Sequence, residues 1–306
     1  MQKTAGIIGG TAVTKQAMTA MDTSFEENPL LEVIDMHVHS GPDVRRRSVN
    51  DIELAVKGRE AGLRGVVIYN HNFITHDRAY LIRQVVPGIE MFGGIALNYP
   101  VGGCNPAAVE MALKFTGNCM KYVKLPSQAA ANDLAKQAKE GHTGGLMVID
   151  HSGKVLPEVR KILSMMAKAD LLLLTGHISP KEDLAVIKAA KEEGVKKMMI
   201  THAMSEITNV SMGDMKKLVG MGAIIEHCSL NYFQKQITIE RYAKTIKELG
   251  AENCVISSDL GQALNPVPTE GLREFIVLLM KQGISTAEMA FMTKKNPARL
   301  LGLELF

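Results

Sequence analysis

The chain has 306 residues, about twice the ~150 of a common domain, so the length allows two domains or one large barrel. Hydrophobic residues make up 46% and charged residues 22%, which excludes a disordered chain because enough apolar surface can be buried. The 35 basic and 32 acidic residues leave a formal net charge of +3. This balance is too weak to favour a nucleic-acid partner or an anionic membrane.

The four cysteines are widely spaced and form no CxxC pair, which is typical of reduced thiols in a cytosolic protein. No apolar run approaches the ~18 residues of a membrane span, so we expect a cytoplasmic protein without a membrane partner. The start of the chain shows little periodicity beyond a helical pattern over 11–21, and we interpret residues 1–30 as an N-terminal arm. This arm and a mild apolar surplus predict a homo-oligomer.

Eight short apolar runs recur along the chain, and such continuous runs are typical of parallel strands buried on both faces. Amphipathic stretches such as 50–61 and 236–249 lie between them. Ser179 and Ser285 each begin a helix with the pattern of a capping box. The predicted strands span residues 31–39, 64–70, 91–98, 120–125, 170–177, 197–203, 223–230 and 254–259.

This alternation of strands and helices, at a spacing of about 25–30 residues, predicts an α/β fold of the (β/α)8 TIM-barrel type. We assign residues 31–306 to this barrel. The longer interval between strands four and five holds two apolar runs around 150–153, which predicts a β-hairpin insertion over 144–157. A doubly wound open sheet is the alternative architecture.

Most of the histidines fall at or just after the end of a predicted strand. The carboxyl ends of all strands in a parallel barrel open on one face, where active sites are built, so these side chains should converge. His37 and His39 point to the same side of their strand and offer two imidazoles to one ion. Together with His177, His202 and Asp259 at other strand ends, they form a ligand set suited to Zn²⁺ or a similar divalent cation.

Lys124 ends the fourth predicted strand in the segment VKLPS. As an ammonium ion it would be repelled by two nearby cations. After reaction with carbon dioxide it would be an anionic carbamate, whose two oxygens can bridge a pair of metal ions. The lysine therefore fits a metal centre only in its modified form, unless a single ion is bound.

Further residues are candidates for contact with a substrate. Arg46 and Arg47 follow the first strand in SGPDVRRRS and could clamp a carboxylate or phosphate, although a solvated cationic loop is an alternative. His71 follows strand two and is a candidate for contact with a substrate or an oxyanion. Glu226 and His227 point to opposite sides of strand seven, and we expect His227 to face the pocket.

Taken together, the motifs resemble the amidohydrolase superfamily of metal-dependent hydrolases. The matching segments are DMHVHSGPD, VKLPS, TGH, THA and SSDLG, and the similarity extends over roughly residues 31–303. VKLPS is similar to the dihydroorotase strand in which the lysine is carboxylated, which favours Lys124 over Lys121. The resemblance implies hydrolysis of an amide, cyclic amide, lactone or ester of a small-molecule substrate by a metal-bound hydroxide.

The resemblance also implies a role for each candidate ligand. His37, His39 and Asp259 would bind the more buried metal, and His177 and His202 the second. Carboxylated Lys124 would bridge two ions, Asp259 would also accept a proton, and the expected metal is zinc, one or two per chain. Two alternatives stay open: a mononuclear metal-dependent decarboxylase on the same barrel, with Lys124 unmodified, and a non-catalytic amidohydrolase-like binding protein.

Overall fold

The computed structural model describes residues 27–137 and 144–304. Most of the predicted N-terminal arm, including the helical pattern over 11–21, lies outside these residues. All eight predicted strands are present. They are β1 Ile34–His39, β2 Gly65–Tyr69, β3 Glu90–Ala96, β4 Met120–Lys124, β5 Leu172–Leu174, β6 Lys197–Ile200, β7 Ile224–Cys228 and β8 Cys254–Ser257.

The strands form one parallel sheet in sequence order, from β1 to β8. Beyond β8 the chain turns back onto β1. The Asp259 backbone N–H donates to the His37 carbonyl at 2.7 Å, and the His39 N–H donates to the Leu260 carbonyl at 2.8 Å. These bonds nearly close the sheet, so the fold is a (β/α)8 barrel and the open-sheet alternative is wrong.

Helices follow the strands and cover the outer surface of the barrel. Ser179 and Ser285 cap their helices with the predicted capping boxes. None of the described helices is long and apolar enough to cross a membrane. The helices are α1 Asp51–Ala61, α2 His76–Val85, α3 Pro106–Ala112, α4 Ala131–Gln137, α5 Pro157–Lys168, α6 Pro180–Glu192, α7 Met212–Gly220, α8 Ser229–Phe233, α9 Ile239–Leu249, α10 Pro268–Lys281, α11 Thr286–Ala290 and α12 Asn296–Leu301.

Apolar side chains fill the interior of the barrel below the strand ends. Ile34, Leu172, Ile224 and Val255 belong to this inner cluster, and all are buried. Residues of α12, among them Leu301, pack against the same cluster, so the C-terminal helix covers the amino-terminal opening of the barrel. In the described residues the barrel is therefore a packed core, with its cavity at the opposite face.

The predicted hairpin insertion is not confirmed. Residues 144–157 contain one antiparallel bridge, between Ile149 and Val155, around a turn in which the Asp150 N–H donates to the Lys154 carbonyl at 2.8 Å. A second, parallel bridge joins Leu146 to Ala130. The described residues of this segment thus form isolated bridges and a turn, and none of them belongs to a β-strand.

Candidate metal centre

His37 and His39 occupy the carboxyl end of β1, and both are almost fully buried. The pairing of β1 with β2 is irregular between Asp35 and Val38. Such irregularities re-aim side chains beside active sites. Here Met36 packs into the inner apolar cluster, while His37 and His39 both line the cavity above it.

Asp259 brings a carboxylate oxygen to both imidazoles. Its Oδ1 lies 3.3 Å from His37 Nε2 and 3.2 Å from His39 Nε2. Asp259 and His202 have left-handed backbone conformations, with φ of 53° and 32°. Such conformations are strained for these residues and are tolerated at functional sites when the surrounding structure holds them.

The other predicted ligands line the same cavity, whose volume is about 210 Å³. The rings of His177 and His202 are 4.8 Å apart, and the ring of His202 is 6.1 Å from that of His37. Lys124 is 1% exposed, and its Nζ lies 3.4 Å from His37 Nε2. The structure therefore brings all six predicted metal ligands together.

Hydrogen bonds to Nδ1 orient three of the four imidazoles. Glu226 Oε1 lies 3.2 Å from His37 Nδ1, Asp133 Oδ2 lies 2.7 Å from His177 Nδ1, and Ser205 Oγ lies 3.2 Å from His202 Nδ1. With Nδ1 engaged, Nε2 is the nitrogen left to bind in the cavity, an arrangement common among metal-binding histidines. His39 Nδ1 is buried without a hydrogen-bond partner among the described residues.

Burial also keeps the donor groups in the states that bind cations. It lowers the pKa of His39 to about 4 and the pKa values of His177 and His202 below their ordinary range, which favours neutral imidazoles. Burial opposes ionisation of Asp259, but the charge of His37 and the hydrogen bond with His39 hold its pKa well below the ordinary value. Neutral nitrogens around an anionic oxygen are a donor set that fits a divalent cation.

Sequence reasoning favoured His227 over Glu226 for the pocket, and it missed Asp133 and Cys228. The Glu226 carboxylate is fully buried and also accepts the His202 backbone N–H at 2.9 Å, so it connects two candidate ligands. Potential donor atoms of His37, Asp259 and Cys228 lie within 4.8 Å of one another. Strand alternation was the available signal, because it places Glu226 and Cys228 on the same side of β7.

Two expectations about the pocket need correction. His227 is buried on the outer side of β7, where its ring lies 5.7 Å from the ring of Tyr242, because Glu226 takes the inward position. Arg46 is exposed and does not line the cavity, whereas Arg45 and Arg47 on either side of it do.

His71 lies beside the metal ligands. Its ring stacks on His39 with centroids 4.8 Å apart, and its Nδ1 lies 2.8 Å from Ser127 Oγ. Asn98 fixes this serine, donating to its hydroxyl oxygen at 2.8 Å. Burial lowers the pKa of His71 well below its ordinary value, which favours a neutral ring whose other nitrogen can contact a bound molecule.

Several solved structures have the same fold. An amidohydrolase from Burkholderia multivorans with bound zinc is 11% identical, with a TM-score of 0.59 over 89% of this chain and 99% of that one. A dihydroorotase is 14% identical, with a TM-score of 0.60 over 90% and 71% of the two chains. A 2,6-dihydroxybenzoate decarboxylase is 13% identical, with a TM-score of 0.52 over 89% and 100%. The chain therefore shares the barrel fold of these three enzymes.

By sequence, the chain belongs to the family of unknown function DUF6282, whose profile matches residues 32–226. No curated protein matched the sequence. The matched range contains β1 to β6 and most of β7, and thus every candidate ligand except Asp259 and Cys228.

Proposed function

We propose that the protein is a metal-dependent hydrolase that cleaves an amide, cyclic amide, lactone or ester. One observation carries the proposal: Nε2 of His37 and Nε2 of His39 both lie within 3.3 Å of Asp259 Oδ1, inside a cavity shared with two further imidazoles and a buried lysine. Four imidazoles and a carboxylate at the open end of a (β/α)8 barrel are suited to a divalent cation.

The proposed metal ligands are His37, His39, Asp259, His177 and His202, with zinc as the expected ion. Zinc is present in the similar amidohydrolase from Burkholderia multivorans. A divalent cation at such a site acts as a Lewis acid and lowers the pKa of water towards ~7.

Asp259 is the proposed proton carrier. Its buried carboxylate would accept a proton from the attacking water and deliver it to the leaving group. His71 is the proposed donor of a hydrogen bond to the substrate carbonyl, through the nitrogen that does not contact Ser127.

Lys124 is the proposed site of carboxylation in a two-metal enzyme. Burial lowers the pKa of its amine, which increases the neutral fraction able to react with carbon dioxide. The carbamate formed on Nζ would lie beside His37 Nε2, now 3.4 Å away.

A mononuclear decarboxylase is the second candidate. The observation that favours it is the compact group of His37, Cys228 and Asp259, whose donor atoms within 4.8 Å can hold one ion without a modified lysine. Metal content bears on this choice, because two ions per chain favour the bridged hydrolase, whereas one ion favours the decarboxylase or another mononuclear enzyme.

Asp259→Asn tests the proposal. We expect metal to be retained and turnover of a cyclic amide, lactone or ester found in a substrate screen to fall roughly 10²–10⁴-fold, because the proton acceptor is lost. The exposed Asp170→Asn is the matched control and should keep full activity. Undiminished turnover in Asp259→Asn would contradict the proton-transfer role.

A further inference from the structure

Arg47 presents a fixed guanidinium to the cavity. Its side chain is 5% exposed, and Nε and Nη2 lie 2.9 and 2.7 Å from Asp43 Oδ2. These bonds use one edge of the guanidinium and leave the edge formed by Nη1 and Nη2. Such an edge carries two parallel N–H groups that match the two oxygens of a carboxylate.

The backbone ties Arg47 to the metal centre. Arg47 forms an antiparallel bridge with Gln262, and the Ser48 N–H donates to the Gly261 carbonyl at 2.8 Å. The side chain of Gln262 donates to the Asp259 carbonyl at 2.8 Å. The loops after β1 and β8 are thus joined, so the arginine and the catalytic carboxylate keep a fixed separation.

The remaining wall of the cavity combines polar residues with the apolar Ile207 and Leu230, and its described residues carry no free negative charge. Asp133 and Asp259 are its acidic residues in the described part of the chain, and both contact imidazoles. No described lining residue is Phe or Tyr. Arg45 also lines the cavity, and none of the described acidic side chains forms an ion pair with it. Six carboxamides also line the wall: Gln128, Gln137, Asn231, Gln234, Gln236 and Gln262.

From these observations we infer that the substrate is a small polar molecule bearing a carboxylate, which Arg47 binds at the cavity wall with Arg45 beside it. The inference rests on the proposed function, because it names the substrate class of the same site. A volume of about 210 Å³ lies below the range of pockets for drug-sized ligands, so the molecule is small. Carboxamides can bind its hydroxyl, amide or carbonyl groups.

A carboxylate fits this wall better than a phosphate. Its two coplanar oxygens are satisfied by the single free edge of Arg47. A phosphate dianion brings a third oxygen and a second charge. Besides Arg45, the described wall offers for them Lys124, the proposed site of carboxylation, and otherwise histidines and neutral side chains.

Titration calorimetry of metal-loaded protein with succinate and with neutral succinamide tests the inference. We expect Arg47→Gln to weaken succinate binding roughly 10–100-fold, because a charged hydrogen-bonded pair is lost. We expect Arg45→Gln to weaken it less. Arg46→Gln is the matched control on the same loop and should bind like the parent protein. Succinamide binding should be weaker than succinate binding and insensitive to all three substitutions.

Arg47→Lys keeps the charge and removes the two-donor edge, so it tests the geometry if Arg47→Gln fails to fold. We expect its affinity for succinate to be intermediate. Three results would each overturn the inference. Succinate and succinamide could bind equally well, or Arg46→Gln could weaken succinate binding as much as Arg47→Gln does. Inorganic phosphate could also bind more tightly than succinate.

The same titration on chelator-treated protein separates this inference from the proposed function. If the metal centre is wrong, purified protein lacks stoichiometric metal, yet succinate binding still depends on Arg47. If the arginine assignment is wrong, metal content is normal and succinate binding is unaffected by Arg47→Gln.

Discussion

The two ends of the barrel interior contain different kinds of side chain, although the same strands contribute to both. Near their amino ends, β1 and β7 contribute Ile34 and Ile224 to an apolar core that α12 covers. A few residues later, His37 and Glu226 of the same strands contact each other, and His37 lines the cavity. A strand rises ~3.3 Å per residue, so each strand extends from the apolar core to the candidate metal centre within a few residues. Stability and function are therefore separated along the strands.

This separation has a physical basis. Apolar side chains in the closed end gain free energy from burial, roughly 25 cal/mol per Å². The open end instead holds buried imidazoles, a buried lysine and left-handed residues, each of which costs stability. Substitutions at the closed end should therefore change the free energy of unfolding, and substitutions at the open end should change metal binding.

The largest effect on stability is expected in the closed end. Leu172→Ala removes a fully buried side chain of β5 and should lower the free energy of unfolding by about 2–5 kcal/mol through lost burial and a cavity. Denaturant unfolding measures this change, with the fully exposed Leu264→Ala as control. Bound metal per folded chain should not change. If Leu172→Ala lost metal without losing stability, the claim that the closed end serves stability and the open end serves metal binding would be wrong.

His227 sharpens the comparison, because it is a polar residue of β7 buried on the outer side of the barrel. Burial lowers its pKa to about 4 from an ordinary 6.5. Between these values the unfolded chain binds more protons, so its contribution to stability is lost as pH falls from 6.5 to 4. A shift of this size corresponds to about 3 kcal/mol.

His227→Phe should remove that contribution. We expect the fall in unfolding free energy between pH 7 and pH 4 to be about 3 kcal/mol smaller in the variant than in the parent protein. The exposed His151→Phe is the control and should leave the pH dependence unchanged. Identical pH dependence in His227→Phe and the parent would show that this imidazole is not buried in its neutral form.

The smallest effect is expected for Glu226→Gln in the open end. The variant keeps the shape of the side chain but loses the charge that polarises His37 across 3.2 Å. Metal affinity should fall roughly 10–100-fold, as for other partners of metal-binding histidines. Competition with a chelator of known affinity measures this, and Glu60→Gln on the exposed face of α1 is the control. Unchanged affinity would mean that Glu226 does not act on the metal through His37.

The sequence predicted the barrel and the convergence of its ligands, because strand polarity alone places every carboxyl end on one face. His177 reaches the site although β5 ends at Leu174, three residues earlier than predicted. The turn between them needs Gly176, whose φ is 71° and whose position would put a Cβ 2.4 Å from the Leu125 carbonyl oxygen.

The partners of these ligands could not be predicted. Alternation on β7 requires one of Glu226 and His227 to face inward, but the choice depends on which neighbours receive each side chain. Asp133 contacts His177 from a helix 44 residues earlier in the chain, a contact that only the tertiary structure establishes. The same holds for Arg46 and Arg47, since the direction of loop side chains follows no sequence period.

Anomalous scattering from zinc-loaded crystals tests the central claim most directly. We predict a peak about 2.0–2.2 Å from Nε2 of His37, Nε2 of His39 and an oxygen of Asp259. A zinc peak bound by other residues, or protein that binds no stoichiometric metal while these three side chains keep their positions, would contradict the claim.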